Sequence, residues 1–295
     1  MKVKKSDLNK LQQLLIDLEL KLTDEIFQYY SSSIDVEKIQ DVDSILQEIG
    51  KIIIKYPIKD EKLNLTFKDR ITLNKEFNSI IRDKYLAEYQ AEKKLLAAVL
   101  KGIAFDQFNS KGYLIKPNWK IQGISDKKLK TILDYKVEGK TYSDRIWQNK
   151  DDVAKRMKLE IQKLFKGDTG LNDIYKNIEK INKTNRRNTE RLVNTEIARV
   201  QYEADEHWRE NNSIVKYVMY CATLDRKTCS DCIPLDGEVY KAGELKPILP
   251  RHPSCRCTYL DLVDKDWKPS YRLDNETKSK INYKTYLEWK KEVDN

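Results

Sequence analysis

Apolar residues recur at spacings of three and four along most of the chain, so helices are the first elements the pattern predicts. Leu8, Leu11, Leu15, Leu18 and Leu22, extended by Ile26 and Tyr29, form a nearly heptad stripe that suits pairing with another helix and breaks at Ser31, Ser32 and Ser33. Val36, Ile39, Val42, Ile45, Leu46, Ile49 and Ile53 predict a second helix, ended by Pro57. Residues 58–74 read as irregular. A longer helix over about 75–103 follows, with Phe77, Ile80, Ile81, Tyr85, Leu95, Leu96 and Val99 as its apolar positions, and the pattern loosens from Gly102 to Gly123 around Gly112, Pro117 and Trp119.

Residues 125–135 and 143–165 predict two more helices, the second closed by Gly167. A short helix over 170–181 precedes a strong one over 184–210, whose Leu192, Ile197, Val200, Ala204 and Trp208 share one face. The period then falls to two. Strands are expected over 214–222, 237–240 and 257–263, with Asp236-Gly237 as a turn, and a last helix over 278–293 carries Ile281, Tyr286 and Trp289. The expected fold class is α+β, predominantly helical. A helical arm over 1–105 and a connector over 106–140 lead to a domain over 141–265, where helices and a small antiparallel sheet hold a Cys/His module; a charged helical tail over 266–295 ends the chain.

Composition sharpens this picture. Of 295 residues, 35% are charged and only 40% hydrophobic, with 9 Gly and 7 Pro, which favours long helices over one compact sphere. The net charge of +9 is unevenly placed: residues 1–50 hold six basic against ten acidic side chains, and residues 51–150 hold 22 against 12. A basic middle suits phosphate or an acidic partner, and a Lys-rich solvated surface is the plain alternative. On the helix over 184–210, Arg186, Arg187, Arg191 and Arg199 alternate with Glu190, Glu196 and Glu203, a pattern read as intrahelical ion pairing; His207 reads as a packing or capping residue. No signal peptide and no bilayer-crossing stretch are expected, so the chain should be made in a reducing cytoplasm, where clustered thiols favour metal over disulfides.

Four of the five cysteines fall between Thr228 and Leu260. Cys229 and Cys232 form a CxxC pair, and His252, Cys255 and Cys257 return in HPSCRC. Soft thiolates at this spacing point to a structural zinc ion, which takes four ligands. The CxxC pair supplies two; the other two come from His252, Cys255 and Cys257, with Cys257 plus either of the others as the alternatives. Cys221, on the strand, reads as a small core residue. HExxH and the HxE–PCxxC pattern of nucleobase deaminases are both absent from the sequence. Asp225, Asp231, Asp236 and Glu238 near the thiols are candidates for a general base, but acids are common in turns. No enzyme is expected.

The segments YSDRIWQN, LVNTEIARVQYEA, YVMYCATLDRKTCSDCIPLDGEVY and PRHPSCRCTYLDLV, between Thr141 and Val263, resemble the Mu F-like minor head proteins of tailed phages. The family's Asn-Thr-Glu falls on Asn194, Thr195 and Glu196, its Leu-Asp on Leu224 and Asp225, and its Cys/His core on Cys229, Cys232, His252, Cys255 and Cys257. The chain departs from the pattern at Leu249-Pro250-Arg251, where many members carry two prolines. The resemblance implies a head-morphogenesis protein inside the virion, assembled in the host cytoplasm, with the portal protein, a capsid or scaffolding protein and viral DNA as partners. A nucleic-acid-binding protein with a zinc module is the competing reading, and a metal-dependent nuclease or toxin a third.

Overall fold

The computed structural model describes residues 5–35, 43–116 and 118–294, with the backbone alone for residues 5–8 and 43. Val36, Ile39, Val42 and Pro117, and the side chain of Leu8, lie outside the described residues. The chain forms two compact units, both discontinuous. One comprises Met1–Ser32, Val99–Leu133 and Asn194–Asn295; the other comprises Ser33–Ala98 and Asp134–Val193. These units cut across the division read from the sequence at 105, 140 and 265.

The second unit is almost wholly helical. It holds α2 (Asp43–Lys55), a two-stranded hairpin of β1 (Ile58–Lys59) and β2 (Lys62–Leu63), most of α3 (Phe67–Ile115) through Ala98, α5 (Tyr142–Lys166), and α6 (Leu171–Glu210) as far as Val193. Residues 58–74 are therefore ordered. Asp60 and Glu61 turn the hairpin at positive φ, and α3 starts eight residues early because the Thr66 hydroxyl accepts the Asp69 amide at 3.2 Å. The capping box of Thr141 and Asp144 opens α5, and Gly167 closes it at φ 78°. Ile45, Ile49, Phe77, Ile81, Met157, Ile161, Phe165, Ile174 and Ile178 fill the core. Lys150 is buried beside Glu92 at 2.8 Å and Glu88 at 3.4 Å.

Helix α6 is continuous where two helices are expected. The segment from Asn182 to Asn185 contains no Gly or Pro, the Thr184 hydroxyl returns to the Lys180 carbonyl at 2.9 Å, and both asparagines are buried. The polar run that reads as a break is an inward polar patch, with Asn185 facing Lys150 at 3.4 Å.

The first unit joins α1 (Lys5–Ser33), the end of α3, α4 (Asp126–Leu133) and the end of α6 to an antiparallel sheet of order β4-β3-β5. Its strands are β3 (Tyr217–Cys221), β4 (Val239–Lys241) and β5 (Thr258–Leu262), with Met219 opposite Leu260 and Val218 opposite Tyr240. Val218, Tyr220 and Tyr259 pack with Ala204 and Trp208 of α6, whereas Met219, Leu260 and Leu262 pack with Ile16 of α1 and Trp267. The expected tail helix over 278–293 is instead a hairpin of β6 (Tyr271–Leu273) and β7 (Lys280–Asn282) followed by α7 (Tyr286–Val293). The capping box of Thr285 and Glu288 starts that helix inside the expected span, and Tyr286 and Trp289 bury against Leu224.

Helix α1 does not bury the leucine seam. Gln13, Ile16 and Glu19 face inward, and Leu11, Leu14 and Leu18 stay exposed. The cause is electrostatic: buried Lys111 of α3 pairs with Glu19, with Asp261 at 2.9 Å and with Asp205 at 3.6 Å. Arg209 holds Asp261 from the other side at 2.7 Å. The three serines do not break α1, since Ser31 and Ser32 bond back to the carbonyls of Gln28 and Tyr29.

The supposed connector begins as helix. α3 runs to Ile115, and its glycines are places of close approach: a Cβ on Gly102 would lie 2.4 Å from the Tyr30 hydroxyl, and one on Gly112 would lie 2.1 Å from the Trp119 ring. None of the helices, over the described residues, is long and apolar enough to cross a membrane.

Two outcomes follow from this packing. Gly112→Ala should lower stability by about 1–3 kcal/mol, because the Trp119 ring must move; a urea midpoint equal to the wild type would refute the contact. Burial and the nearby Asp261 raise the Glu19 pKa from 4.5 to about 7, against the pull of Lys111. Between those values the folded chain keeps a proton that the unfolded chain releases, so this group's contribution to stability falls as pH rises. Glu19→Gln should therefore gain on the wild type in urea midpoint between about pH 5 and about pH 8, and a difference independent of pH would refute the assignment.

Candidate metal centre

Two short segments of the first unit bring the site together. β3 leads through Ala222 into the turn that carries Cys229 and Cys232, and the chain from Leu249 to Cys257 returns just before β5. The CxxC turn is tight: the amides of Cys232 and Ile233 both donate to the Cys229 carbonyl, at 3.1 and 3.2 Å. A short 3-10 turn over Ile233–Leu235 follows, with Gly237 at φ 87° after Asp236. On the return, the Cys255 amide donates to the His252 carbonyl at 3.1 Å, and Ser254 sits at φ 63°.

Cys232 is the centre of the cluster. It is completely buried, 3.6 Å from His252 Nε2 and 4.0 Å from Cys255 Sγ. Two groups of ligand atoms share it: Cys229, Cys232 and His252 form one, and Cys232, Cys255 and Cys257 the other, with every atom of a group within 4.8 Å of the rest. All five residues singled out from the sequence are thus brought together. Cys221 is not in either group; it is half-buried, its sulfur 3.4 Å from Arg272 Nη2, and burial pushes its thiol pKa up.

His252 is oriented for metal. Its Nδ1 lies 3.0 Å from the Pro253 carbonyl, an acceptor that sets the proton on Nδ1 and leaves the Nε2 lone pair toward Cys232. The thiols differ in their hold on the proton. Burial pushes Cys232 up to about 11, and the neighbouring Cys255 sulfur together with burial pushes Cys257 up. Cys255 is drawn down to about 5, chiefly by a hydrogen bond from the Cys257 thiol, then by the backbone amides of Cys257 and Arg251. A divalent cation among these sulfurs would displace the remaining protons, since thiolate rather than thiol is the ligand. A sulfur-rich set with one imidazole fits a tetrahedral zinc-type site.

Two of the four acids near the thiols, Asp225 and Asp236, are committed elsewhere. Asp225 pairs with Arg256 and accepts from the Lys227 amide at 2.9 Å and the Thr228 hydroxyl at 3.2 Å. Asp236 accepts from the amides of Ala222 at 2.7 Å and Tyr286 at 2.6 Å and from Arg272 Nη1 at 2.7 Å, so it ties the sheet, the hairpin and α7 to the turn. Asp231 and Glu238 are both exposed.

Two residues at the site carry no signal of their own in the sequence. Thr195 on α6 accepts the Ser254 amide at 3.1 Å, which pins the HPSC loop to the helix. Its neighbour Glu196 bonds the buried Arg199 at 2.7 Å, and Arg199 donates to the Ile132 carbonyl at 2.7 Å. Tyr220 on β3 is fully buried, with its hydroxyl turned to the sulfurs of Cys232 and Cys257. The Asn-Thr-Glu segment is the one sequence feature that could have pointed to Thr195. His207 packs flat on Phe108 with ring centroids 5.3 Å apart, and burial lowers its pKa.

Comparison with known proteins gives this geometry a context. The NAD(+)--arginine ADP-ribosyltransferase EFV of Enterococcus faecalis (strain ATCC 700802 / V583) is 26% identical over 176 residues, which cover 54% of this chain and 36% of that protein. The chain thus spans about a third of the length of that relative. No solved structure matches. Residues 155–260 match the family model for phage Mu protein F like protein, a span that runs from within α5 through α6 and the Cys/His cluster into β5. The matched residues hold all five candidate ligands, so over this part of the chain the similarity is to the Mu F-like family.

Proposed function

We propose that this chain is a minor, non-catalytic head-morphogenesis protein of a tailed phage, carried inside the virion head and assembled in the host cytoplasm, with a structural zinc ion in its Mu F-like module. The observation that carries this reading is the cluster centred on Cys232 inside the matched segment. Its donors close on one another, and the nearby Asp225 and Asp236 are spent on backbone amides and arginines rather than aimed at the cluster. A catalytic zinc needs an open position and a base beside it. The ADP-ribosyl transfer named for the Enterococcus faecalis relative is that protein's own.

The portal protein and a capsid or scaffolding protein are the partners in this reading, with viral DNA as a third. Helix α1 is the surface we assign to the portal: its inner side is used by Ile16 and Glu19, and Leu11 and Leu14 are 53% and 54% exposed on the outside. A spare apolar side on an anchored helix suits attachment to another helix.

The metal is tested by its stoichiometry in protein purified without chelators under reducing conditions. About one equivalent of zinc is expected; Cys232→Ser, which breaks both ligand groups, should retain less than about a fifth of it, and Cys221→Ser should retain all of it. Full occupancy in Cys232→Ser would refute the site. The partner is tested by a pull-down of portal protein with the full chain. Replacing Leu11, Leu14 and Leu18 by Ser should cut retention at least about tenfold without loss of metal, and undiminished retention would refute the α1 surface. Absence of the chain from intact virions by mass spectrometry would refute the head assignment.

A further inference from the structure

We propose that the solvent face of α6 between Lys176 and Arg191 is a binding surface for the phosphate backbone of duplex DNA. Because α6 is unbroken from Leu171, Lys176, Lys180, Lys183 and Arg187 fall at steps of four, three and four, which align them on one side of the helix. Arg191 continues the line one turn further, with its guanidinium 3.4 Å from the Asn188 side chain. All five are exposed. The opposite side, with Ile174, Ile178, Asn185 and Leu192, is buried, so the line runs along the middle of the solvent face.

This face is not the usual mixture of charges. From Lys180 to Thr189 the helix carries Lys180, Lys183, Arg186 and Arg187 and no acid; Glu179 falls between Lys176 and Lys180, and Glu190 between Arg187 and Arg191. Lys176, Lys180, Lys183 and Arg187 have no ion-pair partner among the described residues. By contrast, Arg199 and Arg209, further along the same helix, are buried in pairs with Glu196, Glu206 and Asp261. One helix therefore carries two populations of cations, Arg199 and Arg209 neutralised inside the fold, and Lys176, Lys180, Lys183 and Arg187 left to solvent.

The geometry fits a polyphosphate. Fifteen residues of helix span about 22 Å, and successive cations one turn apart stand about 6 Å from each other, comparable with the spacing of phosphates along a strand. Cations on flexible stems reach the backbone and not the base edges, so the contact is independent of sequence. The inference rests on the reading of viral DNA as a partner, and it names the surface that meets it.

The test uses the full chain and a fluorescent random-sequence duplex of about 30 base pairs, with affinity measured by anisotropy from about 50 to about 200 mM salt. With four or five phosphates neutralised, the logarithm of the binding constant should fall against the logarithm of salt with a slope of about −4, a loss of about 250-fold over that range. Joint replacement of Lys176, Lys180, Lys183 and Arg187 by Gln should abolish most of the affinity and bring the slope near zero. The same replacement at Lys55, Lys59, Lys62 and Lys68, which are also exposed, should change the slope by less than about one. All eight side chains lie outside the core, and an unchanged melting midpoint in both variants confirms that the fold is intact. Wild-type affinity and slope in the first variant would overturn the α6 surface while leaving DNA as a partner. A wild-type chain that ignores the duplex at low salt, or that binds only vesicles of acidic lipid, would overturn both, and portal retention would still report on the head assignment separately.

Discussion

The burial of Lys111 is the constraint on which the first unit depends. One ammonium group, almost wholly removed from water, meets a carboxylate from α1, one from α6 and one from β5. A buried charge of this kind is expensive to leave unmatched, so the three elements must be in place together. Arg209 supplies the second cation that three acids demand, and Glu206 and Lys246 extend the chain of pairs at 2.5 and 2.6 Å. The network adds specificity where the sheet has only three strands. It also decides which side of α1 points inward, overriding the preference of the leucines.

The parts of the fold legible in the sequence are those governed by local chemistry. α5 could be read almost to the residue because Thr141, Asp144 and Gly167 write both of its ends. The three strands follow from the change of period after Asn212. What was hidden depends on partners far away in sequence. The glycines at 102 and 112 look like punctuation, yet they sit in a helix because Tyr30 and Trp119 leave no room for a Cβ. The polar stretch at Asn182 looks like a loop because its buried partner, Lys150, comes from another helix. Likewise, the stripe of α1 says that the helix pairs with another but not which side turns inward, since no periodicity announces an ion pair with a residue ninety-two positions on.

The candidate site shows the same division. Its five donors were visible as a spacing pattern, because CxxC and HPSCRC are local geometries that tight turns produce. The residues that hold the donors were not. Thr195 comes from a helix and is marked only by the Asn-Thr-Glu segment, and Tyr220 comes from a strand where nothing marks it as a support. Asp225 and Asp236, conversely, looked free to act as bases until their amide and arginine partners were seen. A polar side chain in a turn has many possible uses, and only the packed structure shows which one is taken.

The interleaving of distant segments in the first unit has a consequence for synthesis. Gln13 accepts the Ser270 amide at 2.6 Å and Asp17 the Tyr271 hydroxyl, contacts separated by 257 and 254 positions along the chain. At about 5–20 residues per second, the translating ribosome delivers those partners roughly 10–50 s after α1 has emerged. Throughout that interval the side of α1 that carries Gln13 and Asp17 lacks these partners. The nascent helix is thus open to chaperones, or to an early encounter with whatever binds its leucines, before it can dock. Residues 13 and 17 thus wait for partners at 270 and 271, and folding of that unit is completed only after those partners have emerged.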